Sequence, residues 1–113
     1  MTAWLAWKLK LSAKNQPNLE ATLREQKRRG FAVPELDGEP KLDSEHAWII
    51  AAFMELSARG RPPSFEGAAP IALARIVAYM DEEGIRSPEI RREFRAHIAA
   101  LDNVYLEHGR KAA

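Results

Sequence analysis

The sequence predicts an all-α protein, a small helical bundle with a three-helix core at about residues 44–58, 70–83 and 88–107. Three observations predict it. The chain holds 19 Ala, 11 Leu and 7 Ile against 3 Val, and alanine forfeits no side-chain freedom in a helix. From residue 43 onward the large apolar residues recur three and four apart, the spacing of one helix face. Capping residues, glycine or proline bound each of these segments. At 113 residues the chain is long enough for one small core without covalent staples.

Residues 1–43 read as an N-terminal extension of short helices or strand, and residues 44–113 as the bundle domain. In Leu5-Ala6-Trp7-Lys8-Leu9-Lys10-Leu11 the large apolar residues alternate, as in a half-buried strand. Trp4, Trp7 and Leu11 also fall at i, i+3 and i+7, and the short amphipathic helix is the preferred reading. Asn15-Gln16-Pro17-Asn18 reads as a turn. Asn18 is then placed to cap a helix over residues 19–29 that stops at Gly30, with Lys27, Arg28 and Arg29 at its C-terminal end. Its apolar stripe, Leu19, Ala21 and Leu23, is thin. Residues 31–42 carry two prolines and a glycine with nothing periodic, so they read as a linker. On that basis residues 1–43 are expected to pack weakly on the bundle, or through a partner.

Asp43 or Ser44 caps the first core helix, which Gly60 and Pro62-Pro63 stop. Trp48, Ile49, Ala52, Phe53 and Leu56 give it a broad apolar face. Pro70 suits the first turn of the second helix, where its missing N–H costs nothing. That helix is expected to bury Leu73, Ile76, Val77 and Met80 and to end at Gly84. Ser87-Pro88-Glu89 starts the third, with a cap, a proline and a first-turn acid. Ile90, Phe94, Ile98, Leu101 and Tyr105 form its seam.

Charge and composition exclude several functions. Seventeen basic against sixteen acidic residues leave a net charge of +1, little for a binder that works by neutralising phosphates. The absence of cysteine removes disulfides, thiolate metal sites and cysteine nucleophiles. No apolar run approaches the roughly 20 residues a bilayer requires. Lys8 and Lys10 interrupt the first apolar stretch and no clean cleavage site follows, which argues against a leader. His46, His97 and His108 show no metal-ligand spacing, although Glu93 and His97 stand four apart. Asp81-Glu82-Glu83 point in different directions on a helix and do not converge. Asp102, beside the apolar seam, is expected to cap a neighbouring helix or pair with an arginine such as Arg75. No phosphate loop or nucleophile triad occurs, so no catalytic residue, cofactor or metal is expected.

Three binding surfaces remain as candidates. Met80, Gly84, Ile85 and Ile90 have the spacing of a helix-turn-helix, with Arg86, Arg91, Arg92 and Arg95 on the second helix. Asp81, Glu82, Glu83, Glu89 and Glu93 lie beside the same surface and would repel phosphates, so nucleic acid is the weaker partner. Trp48, Phe53 and Leu56 read first as core, and in part as a groove for a partner helix. Trp4 and Trp7 make a similar offer at the N-terminus.

Trp48-x4-Phe53-Met54-Glu55-Leu56-Ser57-Ala58-Arg59, a Pro/Gly loop, Pro70-Ile71-x4-Ile76-x2-Tyr79, then Gly84, Ser87-Pro88-Glu89 and Ala100-Leu101-Asp102-x2-Tyr105-Leu106 form a longer pattern. It resembles the tail assembly chaperones of tailed phages and prophages, in particular their short downstream domains. The resemblance spans about residues 44–107, with Tyr79 where members often carry tryptophan. It implies a non-enzymatic role in the cytoplasm of a bacterial host. The implied partners are tail proteins, the helical tape-measure protein and the tail-tube protein, with room for a homo-oligomer and none for a membrane. A small helix-turn-helix DNA-binding regulator is the alternative.

Overall fold

In a computed structural model that describes residues 1–12, 18–64 and 67–112, the chain forms six α-helices and a 3-10 turn at Ser44–His46. The helices are α1 (Thr2–Ser12), α2 (Leu19–Arg28), α3 (Pro34–Asp37), α4 (Ala47–Arg59), α5 (Leu73–Glu82) and α6 (Pro88–Ala112). The all-α expectation holds, with no strand among the described residues. The turn read at Asn15–Pro17 lies outside them. At 1.5 Å per residue α6 is about 37 Å long, and it is the spine of a slab measuring 46 × 35 × 19 Å.

The main core unites residues from five segments. Leu5, Phe53, Met80, Phe94, Ile98 and Leu101 are each less than 2% exposed, with Ile49, Ile50, Ala52, Leu56, Ile71 and Ile76 around them. Leu5 corrects the expectation of a weakly packed extension: α1 lies along α6 more closely than any other helix does. A smaller core joins Leu11, Leu23, Val33 and Leu36, against which Trp7 and Leu19 pack. The supposed linker 31–42 is therefore structural, and its single helical turn α3 seats Leu36. Its prolines made it look irregular, but Val33 and Leu36 are spaced to bury together across one turn.

Two cores explain the ambiguous pattern of the first residues. Trp4 and Leu5 face the main core while Trp7 and Leu11 face the smaller one. A helix buried on two sides needs apolar residues at closer intervals than a single stripe does. The result imitates the alternation of a strand.

The helix ends follow local chemistry, with two corrections. At Gly30 and Gly84 the backbone turns left-handed, φ +89° and +72°, which glycine adopts without steric cost. The following N–H groups then reach back to satisfy the last carbonyls, Phe31 N–H to Gln26 O and Ile85 N–H to Met80 O. Ser87 Oγ accepts the Ile90 N–H at the start of α6. Asn18, however, makes no side-chain cap and stands at φ +60°. Asp43 makes none either; the 3-10 turn precedes α4 and the Asp43 carbonyl receives the His46 N–H.

α5 begins at Leu73, three residues after the expected start. The backbone at Ala72 is extended, φ −66° and ψ 134°, because Asp102 on α6 accepts the Ile71 N–H at 3.0 Å. That bond draws Ile71 into the core and leaves Pro70 outside the helix. Leu73, expected to be buried, is 60% exposed, and Ile90 at the head of the α6 seam is 48% exposed.

Candidate functional site

The five residues put forward for partner binding separate into three groups. Phe53 and Leu56 are buried in the main core, where no partner reaches them in this fold. Trp4 and Trp7 bind the chain to itself. The Trp4 indole N–H donates to Glu39 Oε1 at 3.2 Å and that of Trp7 to the Glu35 carbonyl at 3.0 Å. Arg24 also reaches Glu39 while pairing with Glu20, which Lys8 meets from α1. Burial pushes the Glu39 carboxyl up, but the hydrogen bonds from Arg24 and Trp4 and the charges of Arg24 and Lys27 hold it below its ordinary value. Trp48 alone of the five is substantially open, at 45%. Its ring stacks on Phe94 with centroids 5.5 Å apart, and Tyr79 stacks on Phe94 at 5.6 Å.

Asp102 belongs to a structural clamp. Arg61, just past α4, brings Nη2 within 2.6 Å of Asp102 Oδ1, with both side chains nearly buried. Oδ1 has no aligned hydrogen-bond donor, so this contact acts through charge. The guanidinium donates to the Ala69 carbonyl and the Ser57 hydroxyl and lies 4.2 Å over the Tyr105 ring. The partner arginine is thus Arg61, not Arg75. Gly60, just before Arg61, lets the segment entering α5 pack closely: a Cβ there would meet the Leu56 carbonyl oxygen at 2.7 Å and Ile71 Cγ2 at 3.3 Å.

An open, largely apolar groove lies between α5 and α6. Leu73 and Ile76 form one wall, Ala96, Ala99 and Leu106 the other, and its volume is about 520 Å³. Ala96 and Ala99 are exposed on the α6 side, as Leu73 is on the α5 side. A second hollow of about 360 Å³ continues along the seam past Val77, Met80 and Pro88. Arg92 and Arg95 border both hollows. Both arginines are exposed and make no ion pair or hydrogen bond among the described residues. The periodic signal was visible at Leu73 and Ile76, but the gap opposite depends on how α5 and α6 pack.

The other candidates have ordinary surroundings. Arg91 donates to Asp81 Oδ1 at 2.9 Å and to the Ile85 carbonyl at 2.7 Å, tying down the turn at Gly84. His97 faces His46, ring centroids 5.7 Å apart, in a small hollow shared with Glu93 and Trp48. Among the described residues no three His, Asp or Glu side chains converge to hold a metal ion, and no helix is long and apolar enough to cross a membrane. The chain matches no protein-family model, no curated protein and no solved structure.

Proposed function

We propose that this protein is a non-enzymatic tail assembly chaperone or tail-module protein that holds helical segments of the tape-measure or tail-tube protein in the bacterial host cytoplasm. The observation that carries the helix-holding part is the open groove along α5 and α6, with Leu73 uncovered on its wall. A long amphipathic helix awaiting assembly needs its apolar stripe covered, and the cover must leave when tube subunits arrive. A shallow groove of this kind gives modest affinity per site, multiplied where sites repeat along a partner. The tail context comes from the residue pattern over 44–107. The DNA-binding alternative draws on Arg86, Arg92 and Arg95, exposed on the helix pair around Gly84. Exposed Asp81, Glu82, Glu83, Glu89 and Glu93 on the same pair oppose it.

Co-expression with a tape-measure protein followed by pull-down tests the proposal, beside a DNA shift assay across a salt series. Capture of the tape-measure protein is the expected result. Salt-resistant, sequence-selective DNA binding without such capture overturns it in favour of the regulator.

A further inference from the structure

We infer that the α5–α6 groove selects an acidic amphipathic helix, with Arg92 and Arg95 reading carboxylates beside the partner's apolar stripe. The inference rests on the helix-holding reading above and adds the chemistry of what is held.

Shape comes first. From Arg92 to Leu106 the groove follows fifteen residues of α6, about 21 Å from first to last at 1.5 Å per residue. That is the length of four turns of a partner helix. The exposed Ala96 and Ala99 at its centre let a second backbone approach closely, while Leu73 and Leu106 offer apolar contact on either side. Leucines spaced at i, i+3/i+4 and i+7 on a partner fit such a surface.

Charge decides which helix. Arg92 and Arg95 border the groove with their guanidinium groups unpaired among the described residues. The acid that lines it, Asp102, is already engaged by Arg61 and the Ile71 N–H. Glu93 lies away from it, in the hollow with His46 and His97. Glu89 takes the Ser87 hydroxyl, and Glu107 pairs with Arg110. Among the described residues the groove therefore presents two free cations and no free anion. Aspartate or glutamate flanking the partner's stripe gains charge-assisted hydrogen bonds there, and lysine at the same places is repelled.

Two labelled helical peptides of about 18 residues, long enough to span the groove, test this by fluorescence polarisation. They share one leucine stripe and differ in carrying glutamate or lysine beside it. The glutamate peptide should bind about tenfold more tightly at low salt, and the difference should shrink as salt rises. The double variant R92E/R95E should reverse the preference, and A99W, which fills the groove, should abolish both bindings. All three side chains are exposed, and circular dichroism verifies that the variants keep the fold. Equal affinity for the two peptides, or a preference that R92E/R95E leaves unchanged, overturns the inference. If A99W still abolishes that binding, the helix-holding reading survives alone. Binding of neither peptide overturns both.

Discussion

Arg61 and Asp102 meet at 2.6 Å, joining the end of α4 to the middle of α6. The same carboxylate holds the Ile71 N–H, so one side chain fixes the chain's return from α4 and the register at which α5 starts. Removing one member of a buried pair leaves the other charge without compensation. Asp102→Ala should therefore cost about 3–5 kcal/mol in a urea titration. The double change Arg61→Met with Asp102→Leu should recover much of that loss, because it leaves no buried charge behind. A single variant no less stable than the parent would show that the pair carries no strain of charge or register.

Leu5 is fully buried in the main core, where α1 packs on α6, although it lies in a segment whose pattern suggested an appendage. Leu5→Ala should destabilise the whole protein by about 2–5 kcal/mol, as truncations in closed cores do. A chain beginning at Asp43 should lose cooperative thermal unfolding, since removing α1 takes Leu5 out of the main core and uncovers the face of α6 on which α1 packs. A sharp transition at the parental temperature in that fragment would refute the shared core.

How much was legible in the sequence can be traced through particular residues. The helices expected at about 44–58 and 88–107, which form over 47–59 and 88–112, were readable because each buries one face and carries its own stop or start signal, Gly60 and Ser87-Pro88. The role of α1 was not, because Trp4, Leu5, Trp7 and Leu11 serve two cores and their spacing reports neither period cleanly. The late start of α5 was hidden for a different reason. It depends on Asp102, thirty-one residues from Ile71, and no local pattern encodes a contact of that separation. The groove was half visible: Leu73 and Ile76 marked an apolar stripe, but that Ala96 and Ala99 line the other side of an open hollow depends on how α5 and α6 pack. Phe53 and Leu56 proposed as binding residues show the converse, an apolar face broad enough for a partner that the chain's own core takes up.

Phe94 is 1% exposed and lies in stacking contact with Trp48 on α4 and Tyr79 on α5. Phe94→Ala removes the ring that both others touch and should cost about 3–5 kcal/mol. Arg92→Ala, two residues earlier on the exposed side of α6, should be nearly silent. Denaturant titrations of the two variants should differ by most of that amount; equal effects would mean that α6 buries another face.

The Tyr79 hydroxyl provides a pH signature of the same stack. Burial, with the Glu83 and Glu55 carboxylates adding to it, raises its pKa above the ordinary 10.0. The folded protein therefore holds that proton at a pH where the unfolded chain releases it. The associated stability is present below pH 10 and is lost as pH rises from there through the raised value. Tyr79→Phe should flatten this alkaline decline in stability measured by denaturant titration above pH 10. A decline of unchanged steepness would assign it to other groups.

Trp48 and Leu73 divide the two surfaces on which a partner helix could rest. Trp48 is the open member of the aromatic stack, whereas Leu73 stands at the mouth of the α5–α6 groove at 60% exposure. Leu73→Asp places a charge where an apolar stripe would lie and adds an anion beside the guanidinium groups of Arg92 and Arg95. Its cost to folding should stay within about 0.5 kcal/mol, as is usual for exposed positions, while capture of the tape-measure protein falls at least tenfold. Trp48→Ser loses part of a stack on Phe94 and should lower stability by about 1 kcal/mol, yet leave capture intact. Pull-down at a temperature where both variants are folded separates the two effects. If Trp48→Ser abolishes capture and Leu73→Asp does not, the partner sits on the aromatic face and the groove has another role.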